Sequence, residues 1–470
     1  MYPTADTRFA PPHLRAPKPA SIGACPDWIV EQIVAWLDLA DIRSLRLTCK
    51  TVSIKSSQGR FQRLLQSKSV DLTSEALQTF TATRDYSSQL KNLNLVGLAR
   101  KANLQADADK RRETETSLLT EAFDEIAQCK DNGCLESLTL RVAIVYQDGT
   151  RLLPVDTRGR WGMPKRVWAC AVETWQVTLR ALTASQLRIK RLNVFNDADM
   201  QLCSLPCDRL NTVDLQDAGL AKSLAAVKSL SLSISDRIFD DDKDMYEPGE
   251  EDEYYDKLET ESEEETLRDF HAEAGDDNNF VGVAKLVKLC TQMEDLEFHY
   301  YRVFNRYINV AKDFRSERIL QCVVELENLP RLRQVKLRGI QATERDLLNF
   351  IKRTDPSDLS LETIKLEKGT FASIIHYCTS NSHANLHALQ LDTLYERGRS
   401  GYQVMVQFSG REGSRTVVVD ATGTAASERL ERRGADIRQP VLFSLSHSVF
   451  IGAPSTAVYK MRQRLEFYGN

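Results

Sequence analysis

The chain has 470 residues, 42% of them hydrophobic and 27% charged, with a net charge of −4. This is the make-up of a globular protein rather than a disordered or collagen-like one, and the longest apolar runs are a few residues, far short of the roughly 18 that a membrane span needs, so no membrane contact is expected. Ten cysteines without paired spacing, several in apolar segments as at Cys49, Cys290 and Cys378, read as reduced core thiols; with no apolar leader at the start, they predict an intracellular location, cytoplasm or nucleus.

So long a chain calls for two or more domains or an extended repeat array. Residues 1–23, with five prolines before Ser21, read as a disordered arm. From Cys25 the sequence runs CPDWIVEQIVAWLDLADIRSLRLTCKTV. Ile29, Ile33, Trp36 and Leu37 fall at helical spacing, which predicts a helix with one apolar face. Pro26 suits its first turn, and Asp41 can cap a second helix carrying Ile42 and Leu45. Phe61, Leu64 and Leu65 allow a third, giving a unit over residues 24–68 that is small for independent stability.

This stretch resembles the F-box: Pro26 matches the motif's proline, Ile29, Ile33 and Leu37 its first helix, and Asp41, Ile42, Leu45 and Leu47 its second, with Lys50 at the following basic position. It departs from the family at Cys25, usually leucine, and at Trp28, usually small and polar or acidic. The resemblance implies that Pro26, Ile29, Ile33, Leu37, Ile42, Leu45 and Leu47 dock on the Skp-type adaptor of a cullin-RING ubiquitin ligase, while the rest of the chain selects a protein substrate. The competing reading is that these helices only cap the end of a repeat array.

Nine segments of the form apolar-x-x-apolar-x-apolar follow: LKNLNL from Leu90, LESLTL from Leu135, IKRLNV from Ile189, LNTVDL from Leu210, VKSLSL from Val227, MEDLEF from Met293, LRQVKL from Leu332, LETIKL from Leu361 and LHALQL from Leu386. Among their spacers only Ala388 is apolar, a segregation that chance triples would not show. The last two apolar positions alternate as in a strand, and the pattern resembles a leucine-rich-repeat core. Helical spacing between segments, as at Val167, Ala171, Trp175 and Leu182, gives strand-then-helix units and predicts a parallel sheet covered by helices. Thr343 and Thr370 are placed to start such helices.

The expected architecture is therefore α/β: a small N-terminal three-helix F-box-like unit, then an irregular leucine-rich-repeat horseshoe over residues 88–395. Its concave side would present Asn94, Thr139, Asn193, Asp214 and Ser231 early, and Glu297, His299, Lys336, Arg338, Lys365 and Glu367 later, the latter set being the candidate substrate-binding residues. Tyr300, Tyr301, Phe304 and Tyr307 are either aromatic anchors for a partner or repeat core.

One interval contains Asp240–Asp277, with nineteen acidic and three basic residues; it repels itself, and residues 236–278 read as a disordered insertion that could screen the basic concave residues. Residues 396–470, with alternating runs such as TVVVD and VLFSLS, read as a C-terminal capping segment.

No phosphate loop, GxSxG, HExxH or dinucleotide fingerprint occurs, so no catalysis and no cofactor are expected. His376, Cys378, His383 and His387 have ligand chemistry but no standard metal spacing, and no basic stripe with aromatics argues for nucleic acid. The sequence thus predicts the substrate-recognition subunit of an SCF-type ligase, with a non-catalytic repeat scaffold lacking ligase association as the alternative.

Overall fold

The computed structural model describes residues 21–37, 39–57, 66–82, 89–99, 108–129, 133–146, 148–152, 163–197, 203–236, 272–301, 315–380, 385–398, 403–409, 418–419, 425–427 and 429–446. The expected N-terminal arm before Ser21, most of the acidic insertion, the third apolar stretch at Phe61, Leu64 and Leu65, and Phe304, Tyr307 and His383 lie outside them. The chain divides into two units, Met1–Ser67 and Lys68–Asn470.

The first unit holds helices α1 (Asp27–Trp36), α2 (Leu39–Arg46) and α3 (Lys50–Ser56). Pro26 immediately precedes α1, and its carbonyl accepts from Ile29 and Val30 N–H. Asp41 lies inside the first turn of α2, not ahead of it. The third helix starts at Lys50, earlier than the apolar stretch proposed for it, with Cys49 as its N-cap.

Helix α1 buries Val30 and Val34, which close on Ile42 with Leu37 and Leu45 packed against them. Positions 30, 34 and 37 form an i, i+4, i+7 stripe one step round from Ile29, Ile33 and Trp36. Because α1 is apolar on both stripes, spacing alone does not choose between them; packing selects the valine stripe. Lys55 ties the far end together by donating to the Cys25 carbonyl at 2.6 Å and pairing with Asp27 at 3.2 Å.

The second unit is mixed α/β with a large, mostly parallel sheet. Its strands are β1 (Ser67–Asp71), β2 (Asn92–Ala99), β3 (Ser137–Val145), β4 (Arg191–Val194), β5 (Ser229–Ser235), β6 (Asp295–Tyr301), β7 (Gln334–Arg338), β9 (Asp358–Glu362), β11 (Ala388–Asp392) and β14 (Arg429–Arg433), hydrogen-bonded in that order. From β2 to β11 every pairing is parallel, and β14 closes the row antiparallel to β11. A second sheet takes β8 (Gln341–Thr343), β10 (Lys365–Lys368), β12 (Tyr395–Arg397), β13 (Gln403–Ser409) and β15 (Phe443–Ser446).

Parallel neighbours need crossovers, and helices supply them: α4 (Ser74–Ala82), α5 (Ala108–Cys129), α6 (Met163–Ser185), α7 (Ala218–Leu224), α8 (Asn278–Leu289), α9 (Glu317–Val324), α10 (Glu344–Thr354) and α11 (Phe371–Thr379). One continuous core runs between helices and sheet, built from the alternate strand residues, such as Leu93, Leu138, Leu192, Leu230, Leu296, Val335, Leu359 and Leu389. At Gly97 a side chain would sit 2.1 Å from Thr174 Oγ1 and 2.8 Å from Cys170 Sγ, so α6 lies directly on β2 there.

Seven of the nine repeat segments end in strands of the large sheet. LNTVDL does not: Cys207–Thr212 is a 3-10 turn, and Asp214 lies beyond it, off any strand. LETIKL spans a corner, because β9 ends at Glu362 and Thr363 turns the chain with φ of 54° into the second sheet. The same corner occurs at Gly339 (φ 70°) and Thr393 (φ 53°), each followed by a buried aliphatic residue, Ile340, Ile364 or Leu394.

Only the first corner requires glycine, and the reason is local. Strand β6 runs straight through Tyr300, whose carbonyl oxygen would lie 2.2 Å from a Cβ at Gly339. At Thr363 the preceding strand has itself turned at Gly339, so a side chain is accommodated.

Helix α10 starts as its sequence predicts: Thr343 Oγ1 accepts from Asp346 N–H at 3.1 Å and donates to the Asp346 carboxylate at 2.7 Å. Helix α11 does not, since the Thr370 side chain makes no capping bond. Two carboxylates replace it, Glu344 accepting from Thr370 N–H at 2.7 Å and Glu396 from Phe371 N–H at 2.9 Å.

Candidate interaction surfaces

In the first unit, the residues expected to dock on an adaptor separate by burial. Ile42 is sealed in the small core and Leu37 and Leu45 pack against it, whereas Ile29 and Ile33 are half-buried and Pro26 is exposed. Among the described residues of this unit, four large apolar side chains lie largely in water: Trp28 at 66%, Trp36 at 88%, Leu47 at 87% and Ile54 at 57% exposure. Trp28, Trp36 and Ile54 extend the expected set, and their signal was the excess of apolar residues over what so small a core can hold.

In the second unit, the sheet face away from the helices is polar. Strand alternation and parallel register align Asn94, Thr139, Asn193, Ser231, Glu297, Lys336, Ser360 and Gln390 in one row across it. In this row only Glu297 and Lys336, on the central strands β6 and β7, are charged.

These side chains hold one another. Arg141 Nε donates to Asp197 at 2.9 Å, which also accepts from Asn193 Nδ2 at 2.7 Å. Asn196 Nδ2 donates to Ser231 Oγ at 2.8 Å, Ser231 donates to Glu297 at 3.3 Å, and Lys336 Nζ closes on Glu297 at 2.6 Å. Arg338 pairs with Glu362 at 3.3 Å. Lys336 and Arg338 therefore have carboxylate partners of their own on this face.

Lys365 and Glu367 are not part of this row. They lie on β10 in the second sheet, and the place assigned to them is taken by Ser360 and Glu362. Lys365 instead stands over the Tyr395 ring, 5.7 Å from its centroid.

His299 is 7% exposed and lies against Tyr301, with ring centroids 3.9 Å apart and the planes tilted by 44°. Burial lowers its pKa well below the usual imidazole value, and the positive charges of Arg338 and Lys336 lower it further. Burial also raises the Tyr301 phenol.

His376 is exposed on α11 while Cys378 is buried on its other side, and no group of three or more His, Cys, Asp or Glu is placed to hold a metal among the described residues. Among them too, no helix is long and apolar enough to cross a membrane. No protein-family model matches the chain, and no curated protein matches it.

Proposed function

We propose that the chain is the substrate-recognition subunit of an SCF-type cullin-RING ubiquitin ligase, an F-box-like unit docking on a Skp-type adaptor and an irregular leucine-rich-repeat body engaging the protein to be modified. The observation that carries this reading is the doubly apolar α1: its own core uses Val30 and Val34, leaving Ile29, Ile33 and Trp36 on the other stripe beside exposed Trp28. Burying a large aliphatic or aromatic side chain contributes about 1.5–3 kcal/mol, so covering Trp36, Leu47 and Ile54 on a partner is a strong drive to associate.

The second support is the division of labour. The ligase chemistry belongs to other subunits, and this chain contributes proximity through a face rich in hydrogen-bonding groups. Co-purification with a Skp-type adaptor tests the reading, using the wild-type chain and a Trp36→Ser, Leu47→Ser variant. Both side chains are exposed, so the variant keeps its fold while adaptor capture is lost. Absence of wild-type capture overturns the reading.

A further inference from the structure

An edge strand leaves a row of backbone groups without a neighbour, and folded proteins blunt such edges with charge, shortness or cover. The large sheet ends in β1, which carries Lys68 and Asp71, and in β14, which carries Arg429, Glu431, Arg432 and Arg433. The second sheet ends in β8, three residues long with Gln341 and Ala342 buried, and in the two-residue strand Val418–Val419.

Strand β15 has none of these protections. Among the described residues it bonds only to β13, so its other edge is open to them. From Gln439 to Ser446 the sequence is QPVLFSLS, with no charged residue. Leu442 is 71% exposed and Leu445 40%, and no other large apolar side chain among the described residues of the second unit is so exposed. Val441 and Phe443 pack against the main core, which anchors the strand while Leu442, Ser444 and Leu445 face water.

From this we infer that β15 pairs antiparallel with β15 of a second copy of the chain, making a two-fold, edge-to-edge dimer. The strand itself selects that occupant, because an uncharged apolar edge matches a strand of the same character and a second copy supplies one. A two-fold axis normal to the sheet keeps each face on its own side, so opposed residues must differ by an even number. Centred on Ser444, the pairing sets Leu445 against Phe443 of the second copy, an apolar cross-strand pair formed twice. So short a ladder covers less than the about 1,200–2,000 Å² of a stable interface, which makes the dimer a weak one with a dissociation constant of roughly 10–100 µM. The inference does not rest on ligase association.

Sedimentation velocity on the full chain between about 1 and 300 µM tests it, and the weight-average mass is expected to climb from monomer toward twice that value. A Leu442→Lys, Leu445→Lys variant gives this edge the kind of charge that the edges of the large sheet carry, and is expected to weaken association at least about ten-fold. Both side chains are exposed, so its melting temperature should stay that of the wild type. The Trp36→Ser, Leu47→Ser variant should dimerise as the wild type does, which separates this contact from one made through the apolar residues of the first unit.

Hydrogen exchange gives a second reading that needs no variant: amides of β15 in the wild-type chain are expected to slow as concentration rises through the same range. A wild-type chain that stays monomeric throughout, a dimer that the Leu442 and Leu445 changes leave intact, or one that the Trp36 and Leu47 changes abolish overturns the inference. Adaptor capture is scored separately, so its failure removes the ligase reading and leaves the dimer standing.

Discussion

Gly339→Ala is the sharpest probe of how the large sheet turns into the second. The alanine must adopt a φ of 70°, where an L side chain costs about 1–2 kcal/mol, offset by about 0.4–1 kcal/mol from the stiffer unfolded chain. Its Cβ would stand 2.2 Å from the Tyr300 carbonyl oxygen, and Cβ contacts under 3.0 Å essentially never occur, so β6 and β7 must separate. Forcing a packed structure apart in this way costs about 1–3 kcal/mol, for a net cost of roughly 1–5 kcal/mol.

Gly434→Ala is the control, since its φ is 55° but nothing lies within 4 Å of its Cβ position. Hydrogen exchange by mass spectrometry reads both as local opening. Gly339→Ala should speed exchange in β6 and β7 by about one to three and a half orders of magnitude, and Gly434→Ala should change its neighbourhood by about ten-fold at most. Equal effects at the two sites would refute the steric argument and with it the account of why only the first corner is glycine.

Glu396 is buried and its carboxyl is raised above the ordinary value of 4.5, by burial first and by the Glu344 charge to a lesser degree. A raised carboxyl destabilises the fold once both states are ionised, and the penalty is relieved as pH falls through the folded value toward the unfolded one. Glu396→Gln, which still accepts from Phe371 N–H, should therefore melt higher than wild type at pH 7, with the gain disappearing below about pH 4. The Lys336–Glu297 pair is about half-exposed, with side chains at 40% and 39%. A double-mutant cycle on it should return about 0.2–1 kcal/mol and fall further in high salt. Gly97→Val would drive a side chain into Thr174 and Cys170 of α6; a drop in melting temperature with adaptor capture retained is the expected result, and unchanged stability would remove the close helix contact.

Sequence alone determined the parts that depend on local periodicity. Alternation of apolar and polar residues marks β2, β3, β5, β6, β7 and β11, and intervening helical spacing forces parallel connections, so the mixed α/β body was legible in outline. The Thr343 cap was legible for the same reason: its partner, Asp346, is three residues away.

What depends on distant neighbours was not legible. Whether α1 buries Val30 and Val34 or Ile29 and Ile33 is decided by Ile42 from α2, because both stripes of α1 are apolar. Lys365 shares the apolar-x-x-apolar-x-apolar phase with Lys336 but sits on another sheet, because Thr363 takes a left-handed turn that spacing does not record. The α11 cap is supplied by Glu344 and Glu396, some 26 and 25 residues from the groups they bind.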